Sequence, residues 1–177
     1  MCEMPEEKTL TLYQRQKITK PTIEDILPDI IPDGDVIKTV LDFAAYLRAN
    51  KTSLRWYGGN EWIAVNKGKR ICRIALGEIW WSGRSSKYWH VVLKLTRMNE
   101  YDESAMNEGM KKIICDNIKY CNGCHRCAPG KDITVSGSEF KGVCHDMFLI
   151  INDPDEADIG HIKRLLELEK DARNVRE

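Results

Sequence analysis

Apolar positions change period several times along the 177-residue chain. Ile37, Val40, Leu41, Ala44 and Leu47 recur at helical spacing, which predicts an amphipathic helix from a cap at Asp35 to about Asn50. The stretches "SLRWY", "EWIAVN", "RICRIAL", "EIWWS" and "KYWHVVLKL" then follow one another closely. They are short, rich in β-branched and aromatic residues, and separated by "GGN", "NKGK", "G" and "GRSS". That pattern predicts strands joined by tight turns, and spacing this close leaves no room for crossover helices, so the strands are expected to be antiparallel neighbours. A second helix fits about 102–118, with Met106, Met110, Ile113, Ile114 and Ile118 inward. "GVCHDMFLIIN" reads as one more strand. Asp153-Pro154-Asp155-Glu156 reads as the start of a last helix, capped by Asp153, which buries Ile159, Ile162, Leu165, Leu166 and Leu168. The order predicts an α+β domain over 36–177, an antiparallel sheet of about five strands covered by helices. Residues 1–35 hold four of the six prolines and read as an N-terminal arm, with a short turn at "TIEDIL".

Length and composition narrow the class without naming it. The chain is 42% hydrophobic and 31% charged, ordinary for a globular domain long enough to bury its own core. No apolar run is long enough to span a bilayer, and the polar, acidic opening has no signal-peptide core. The expectation is a cytoplasmic protein with reduced thiols and no membrane partner.

Against that background the cysteines stand out. Three of the seven lie in "YCNGCHRCAPG" at C-x2-C-x2-C spacing: Cys121, Cys124 and Cys127. Cysteines three apart in a glycine-containing turn can aim their sulfurs at one point, and Gly123 and Gly130 permit the tight backbone this needs. A tetrahedral zinc site requires a fourth ligand, which can come from elsewhere in the chain. Cys144 is the preferred candidate, because a thiolate matches three thiolates and would tie the loop to the sheet. Cys115, His125 and His145 are the others. The prediction is a structural zinc knuckle inserted at 115–145. An iron–sulfur cluster lacks the following fourth cysteine of the bacterial ferredoxin run. A catalytic zinc would draw on His125, His145 and Asp146, and a dithiol switch would need no metal. Lys119, Arg126 and Lys131 are placed to soften the negative charge of four thiolates. Cys72, between apolar strand residues, reads as a small core residue.

Several segments resemble a family of small bacterial proteins, mostly from anaerobic gut and soil Firmicutes, over about residues 21–170. They are "PTIEDILPDIIPDG", "VLDFAAYLRANK", "GKRICRI", "CNGCHRCAPGKDITVSGSEFKGVCH" and "NDPDEADIGHIKRLLELEK". The most specific part is C-x2-C-x2-C-x-P-G followed by G-x-E-F-x-x-V-C. The resemblance implies Cys144 rather than Cys115 as fourth ligand, and a core distantly similar to gyrase-inhibitor-like small-molecule-binding domains. It brings no established activity. The chain departs from the family at "GEIWWSGRSSKYWHVVLKL", which is richer in tryptophan.

Charge adds one more feature. The chain is neutral overall, but residues 51–100 carry ten basic and three acidic side chains, and all five tryptophans lie in the same block. In "YWHVVLKL", Trp89, Val91, Leu93 and Leu95 form one face; Tyr88, His90, Val92 and Lys94 form the other. Arg55, Trp56, Arg73, Trp81, Tyr88 and His90 are the candidate ligand-binding residues, an aromatic wall with a few polar groups. The reading is a small-molecule or partner-binding module stabilised by a structural four-cysteine zinc site. A single-stranded nucleic-acid-binding zinc protein is the first alternative, favoured by basic and aromatic residues side by side. A metal- or thiol-dependent enzyme or redox sensor is the second. No nucleophile elbow, zinc-protease, P-loop or dinucleotide motif is present, which leans against an enzyme.

Overall fold

A computed structural model describes residues 10–81, 84–98, 101, 103–123, 129–135, 137–144 and 149–174. The helices are α1 (Leu12–Thr19), α2 (Ile23–Ile30), α3 (Gly34–Ala49), α4 (Glu108–Asn117) and α5 (Glu156–Asn174). The strands are β1 (Ser53–Gly58), β2 (Glu61–Asn66), β3 (Lys69–Leu76), β4 (Ile79–Trp81), β5 (Arg84–Ser86), β6 (Trp89–Leu93), β7 (Lys131–Val135), β8 (Ser138–Val143) and β9 (Leu149–Asn152). The main sheet runs β1-β2-β3-β6-β9, antiparallel at every junction, and β4-β5 and β7-β8 form separate hairpins. The chain is therefore α+β with a five-stranded antiparallel sheet; short turns join β1-β2 and β2-β3, whereas the expected strand "EIWWS" pairs with β5 outside this sheet and a long excursion through α4 and β7-β8 separates β6 from β9.

The register sorts the residues into two faces. Leu54, Ala64, Cys72, Leu93 and Leu149 make one cross-strand row, and Trp56, Trp62, Ile74, Val91 and Ile151 the next. This face carries the core. Ile23 and Leu27 of α2, Phe43 and Leu47 of α3, Ile114 of α4, and Ile162 and Leu166 of α5 are buried in the same cluster. This burial pattern arises because α2, α3, α4 and α5 each have an apolar stripe and the sheet offers one apolar face to receive it, whereas α1 buries only Gln16. Residues 23–31 of the expected arm are thus core: Ile23, Leu27 and Ile31 are almost fully buried.

The helix starts differ from expectation by two residues. Asp33, not Asp35, caps α3, its carboxylate accepting from the N–H groups of Asp35 and Val36. Asp155 caps α5 by accepting from Asp158. Asp153 instead ties down a neighbouring turn. In a left-handed conformation, it accepts the N–H groups of Lys87 (2.6 Å), Tyr88 (2.7 Å) and Trp89 (3.0 Å) and so fixes the entry into β6. "GVCHDMFLIIN" is not one strand. β8 ends at Val143, β9 begins at Leu149, and residues 145–148 lie outside the described part. His161 is half-buried and packs against Gly109 of α4, where an added Cβ would come within 2.2 Å of its imidazole.

Glu169 buckles α5 to the sheet. Its carboxylate is fully buried and accepts from Thr96 N–H (3.0 Å), Thr96 Oγ1 (2.7 Å), Arg97 N–H (3.1 Å), Tyr101 Oη (2.5 Å) and Arg173 Nε (2.6 Å). Burial alone pushes this carboxyl up. The hydrogen bonds from Tyr101 and Thr96 and the charge of Arg173 outweigh it and hold the group below its ordinary value. Removing a hydrogen-bonded buried charge strands its partners. Glu169→Ala should lose about 3–5 kcal/mol of unfolding free energy, and Glu169→Gln less, in urea titrations at neutral pH.

Candidate metal centre and aromatic cleft

The root of the cysteine loop is a short antiparallel ladder. After α4, Ile118 bridges to Leu149 at the β9 edge of the main sheet, and Tyr120 bridges to Val143 of β8. Cys121 N–H donates to Gly142 O and Cys144 N–H to Lys119 O, both at 2.7 Å. This register sets Cys121 opposite Gly142 and Cys144 opposite Lys119. The two cysteines therefore share a face as diagonal neighbours, a relation that typically separates positions by about 7–8 Å. Gly142 contributes no side chain to the strip between them.

The loop also closes on itself. A Cβ built on Gly130 would lie 2.8 Å from Cys121 Cβ and 2.7 Å from the Gly142 backbone, so only glycine fits there. The chain that leaves at Cys121 thus returns beside it nine residues later. Gly123, inside the loop, has the positive φ of +69° that glycine tolerates. Cys121 and Cys144 are half-buried, while Cys115 is exposed on α4 and Cys72 is buried in β3. Burial pushes the Cys72 thiol up to about 12, which fits a core role. Cys124, His125, Arg126, Cys127, His145 and Asp146 lie outside the described residues. Among the described residues no group of three metal-ligating side chains assembles. Lys119 stands cross-strand from Cys144 on the face the two cysteines share, whereas Lys131, on β7, pairs with Val143 and so takes the opposite face.

The six candidate ligand-binding residues divide between locations. Arg55, Ile63, Arg73, Val92 and Ile150 form one row on the second face of the sheet, with His90 in the adjoining row beside Ala75. Arg73 and His90 are buried diagonal neighbours, and Arg73 pairs with Glu61 at 3.1 Å. Trp56 lies on the opposite face, against Trp62, its Nε1 donating to Gly59 O at 2.9 Å. Tyr88 is half-buried at the Asp153 turn, with Lys87 Nζ 4.5 Å from its ring centre. Trp81 stands opposite Arg84 in the β4-β5 hairpin, and its side chain lies outside the described part.

Arg55 and Trp56 line an open cleft of about 420 Å³ along β1, a strand paired on one side within the main sheet. Lys20, Thr22 and Arg48 supply its other wall, and Trp62 Nε1 holds that wall in place by donating to Pro21 O at 2.9 Å. Arg48 is itself held in a two-point pair with Glu24 at 2.5 and 3.0 Å. Lys20 and Arg48 escape sequence reasoning because they lie outside the basic block and reach it only through the helices.

Comparison with known protein families, with curated proteins and with solved structures found no match to this chain.

His90 carries a checkable consequence. Burial lowers its pKa to about 4, with the Arg73 charge acting the same way and Asp153 opposing. The unfolded chain binds a proton near 6.5 that the folded chain refuses until about 4, so stability falls as pH drops through that window. Between pH 7.5 and 4.5, the native chain should lose roughly 2–3 kcal/mol more unfolding free energy than His90→Gln, measured by denaturant titration at both pH values.

Proposed function

We propose that this chain is a binding module stabilised by a structural zinc held by Cys121, Cys124, Cys127 and Cys144, and that it takes a small anionic aromatic ligand in the cleft along β1. The observation that carries the metal reading is the ladder at Tyr120–Val143. It sets Cys121 and Cys144 on one face while Gly130 closes the intervening loop against Cys121. Three thiolates from the loop and one from the end of β8 would complete a closed tetrahedral set, which leaves no open position for catalysis. When bound, zinc supplies folding free energy by crosslinking the loop to β8. The protein's own residues do the rest: Lys119 offsets thiolate charge, and Gly130 and Gly142 keep side chains out of the sulfur face.

The cleft reading is supported by its lining. Trp56 offers an aromatic wall, Arg55, Lys20 and Arg48 offer cations, and Thr22 a small polar group. Among the described residues no helix is long and apolar enough to cross a membrane.

Elemental analysis and the visible spectrum of anaerobically purified protein test the metal centre, with Cys144→Ser alongside. One zinc per chain, no colour, and loss of zinc in the variant are expected. Iron with a charge-transfer absorption would replace the reading with redox chemistry, and absence of any metal would leave a thiol switch. For the cleft, ligand-detected NMR with a panel of aromatic carboxylates should yield binders that Arg55→Gln weakens by roughly tenfold. Binders indifferent to that exposed substitution, or none, would remove the cleft assignment.

A further inference from the structure

A separate cavity of about 400 Å³ is lined by Lys69, Arg70, Lys94, Thr96, Arg97 and Arg173. Five of these six side chains are cationic, and none is acidic or aromatic. They come from three distant parts of the chain. Lys69 and Arg70 open β3 just after the Lys67-Gly68 turn. Lys94 and the 96–97 segment leave β6, with Lys94 N–H extending the ladder to Ile71 O at 2.9 Å. Arg173 is in the last turn of α5.

We propose that this cavity binds a compact polyphosphate group, meaning two or more linked phosphates of a small molecule. Lys69, Arg70, Lys94 and Arg97, beside an Arg173 already paired with Glu169, give the cavity a local positive field that draws an anion. Glu169, one turn before Arg173 on α5, lies fully buried, and its oxygens are occupied by the donors from Thr96, Arg97, Tyr101 and Arg173. The same carboxylate arranges the site. It fixes Arg173 through Nε, leaves Arg173 Nη2 against Lys94 O (3.3 Å) and Thr96 Oγ1 (3.4 Å), and pins the Arg97 backbone. A guanidinium so positioned gives up little entropy when it meets a phosphate, which it would do through Nη1, since Nε and Nη2 are engaged. Lys69, Arg70, Lys94 and Arg97 already make contacts of their own, so an incoming anion competes for them rather than finding them idle. The lining includes no ring on which a base could stack. This favours a small polyphosphate over a nucleic-acid strand.

Isothermal titration of the full chain with inorganic pyrophosphate tests this, with its metal content measured before and after. Binding is expected at about 50 mM salt, several-fold weaker at about 200 mM because the charges are partly exposed, and roughly tenfold weaker in Lys69→Gln/Arg70→Gln. Both substituted side chains sit at a hairpin end, and circular dichroism of the double variant reports whether it is folded. Arg55→Gln, in the other cleft, should bind pyrophosphate like the native chain, so failure here is distinguishable from failure of the β1 cleft. No heat at millimolar pyrophosphate, or binding that Lys69→Gln/Arg70→Gln leaves unchanged, overturns the proposal. A single-stranded oligothymidylate that binds more tightly than pyrophosphate and displaces it also overturns it, in favour of a nucleic-acid surface.

Discussion

The buried carboxylate of Glu169 is the constraint from which the arrangement of the molecule follows. It places α5 against the segment leaving β6 through donors from Thr96, Arg97 and Tyr101. With α5 so placed, Gly109 lets α4 approach it at His161, and Ile113 and Ile114 enter the core. The end of α4 then delivers Ile118 to the β9 edge and Cys121 to the ladder with β8. On the other side, the same carboxylate orients Arg173 over Lys94 and Thr96. A charge that is costly to bury is thus compensated locally by hydrogen bonds, and both candidate ion-handling sites hang from its consequences.

Those sites call for opposite charges from the same nearly neutral chain. The cysteine ladder would concentrate negative thiolates against Lys119. The cavity at Lys69, Arg70, Lys94, Arg97 and Arg173 concentrates positive charge. Net charge says nothing of either, because each is a local excess that the rest of the chain cancels. The sheet adds a second polarity. Its first face is the apolar core, while its other face buries Arg73 with Glu61 and keeps His90 neutral at physiological pH.

What is legible in the sequence depends on whether the signal is local. The alternation in "EWIAVN" and "RICRIAL" and the helical spacing from Ile37 to Leu47 announce β2, β3 and α3, because a strand or helix with one buried face writes its period into adjacent residues. Helix starts are legible as clusters of acids but not as individual caps: Asp33 and Asp155 cap, while the neighbouring Asp153 holds the turn into β6. The hairpin β7-β8 has its own signal, Ile133 and Val135 alternating before a Ser-Gly-Ser turn, but the adjacent cysteines overshadow it. α2 reads as a turn because eight residues hold too few periods to distinguish the two. Composition alone points to Arg55 and Trp56 as ligand-binding candidates, and they do border one cleft. Lys20, Arg48 and Arg173 are not legible, since only tertiary packing brings them to their cavities.

Most depends on whether the loop from Cys121 to Gly130 and the end of β8 share one metal ion. X-ray absorption at the zinc edge of the purified protein tests this most directly, because it counts and identifies the bound atoms. The proposed four-thiolate site predicts a single shell of four sulfurs at about 2.3 Å with no nitrogen contribution. A shell containing nitrogen or oxygen, or a protein with no zinc edge to measure, would contradict it.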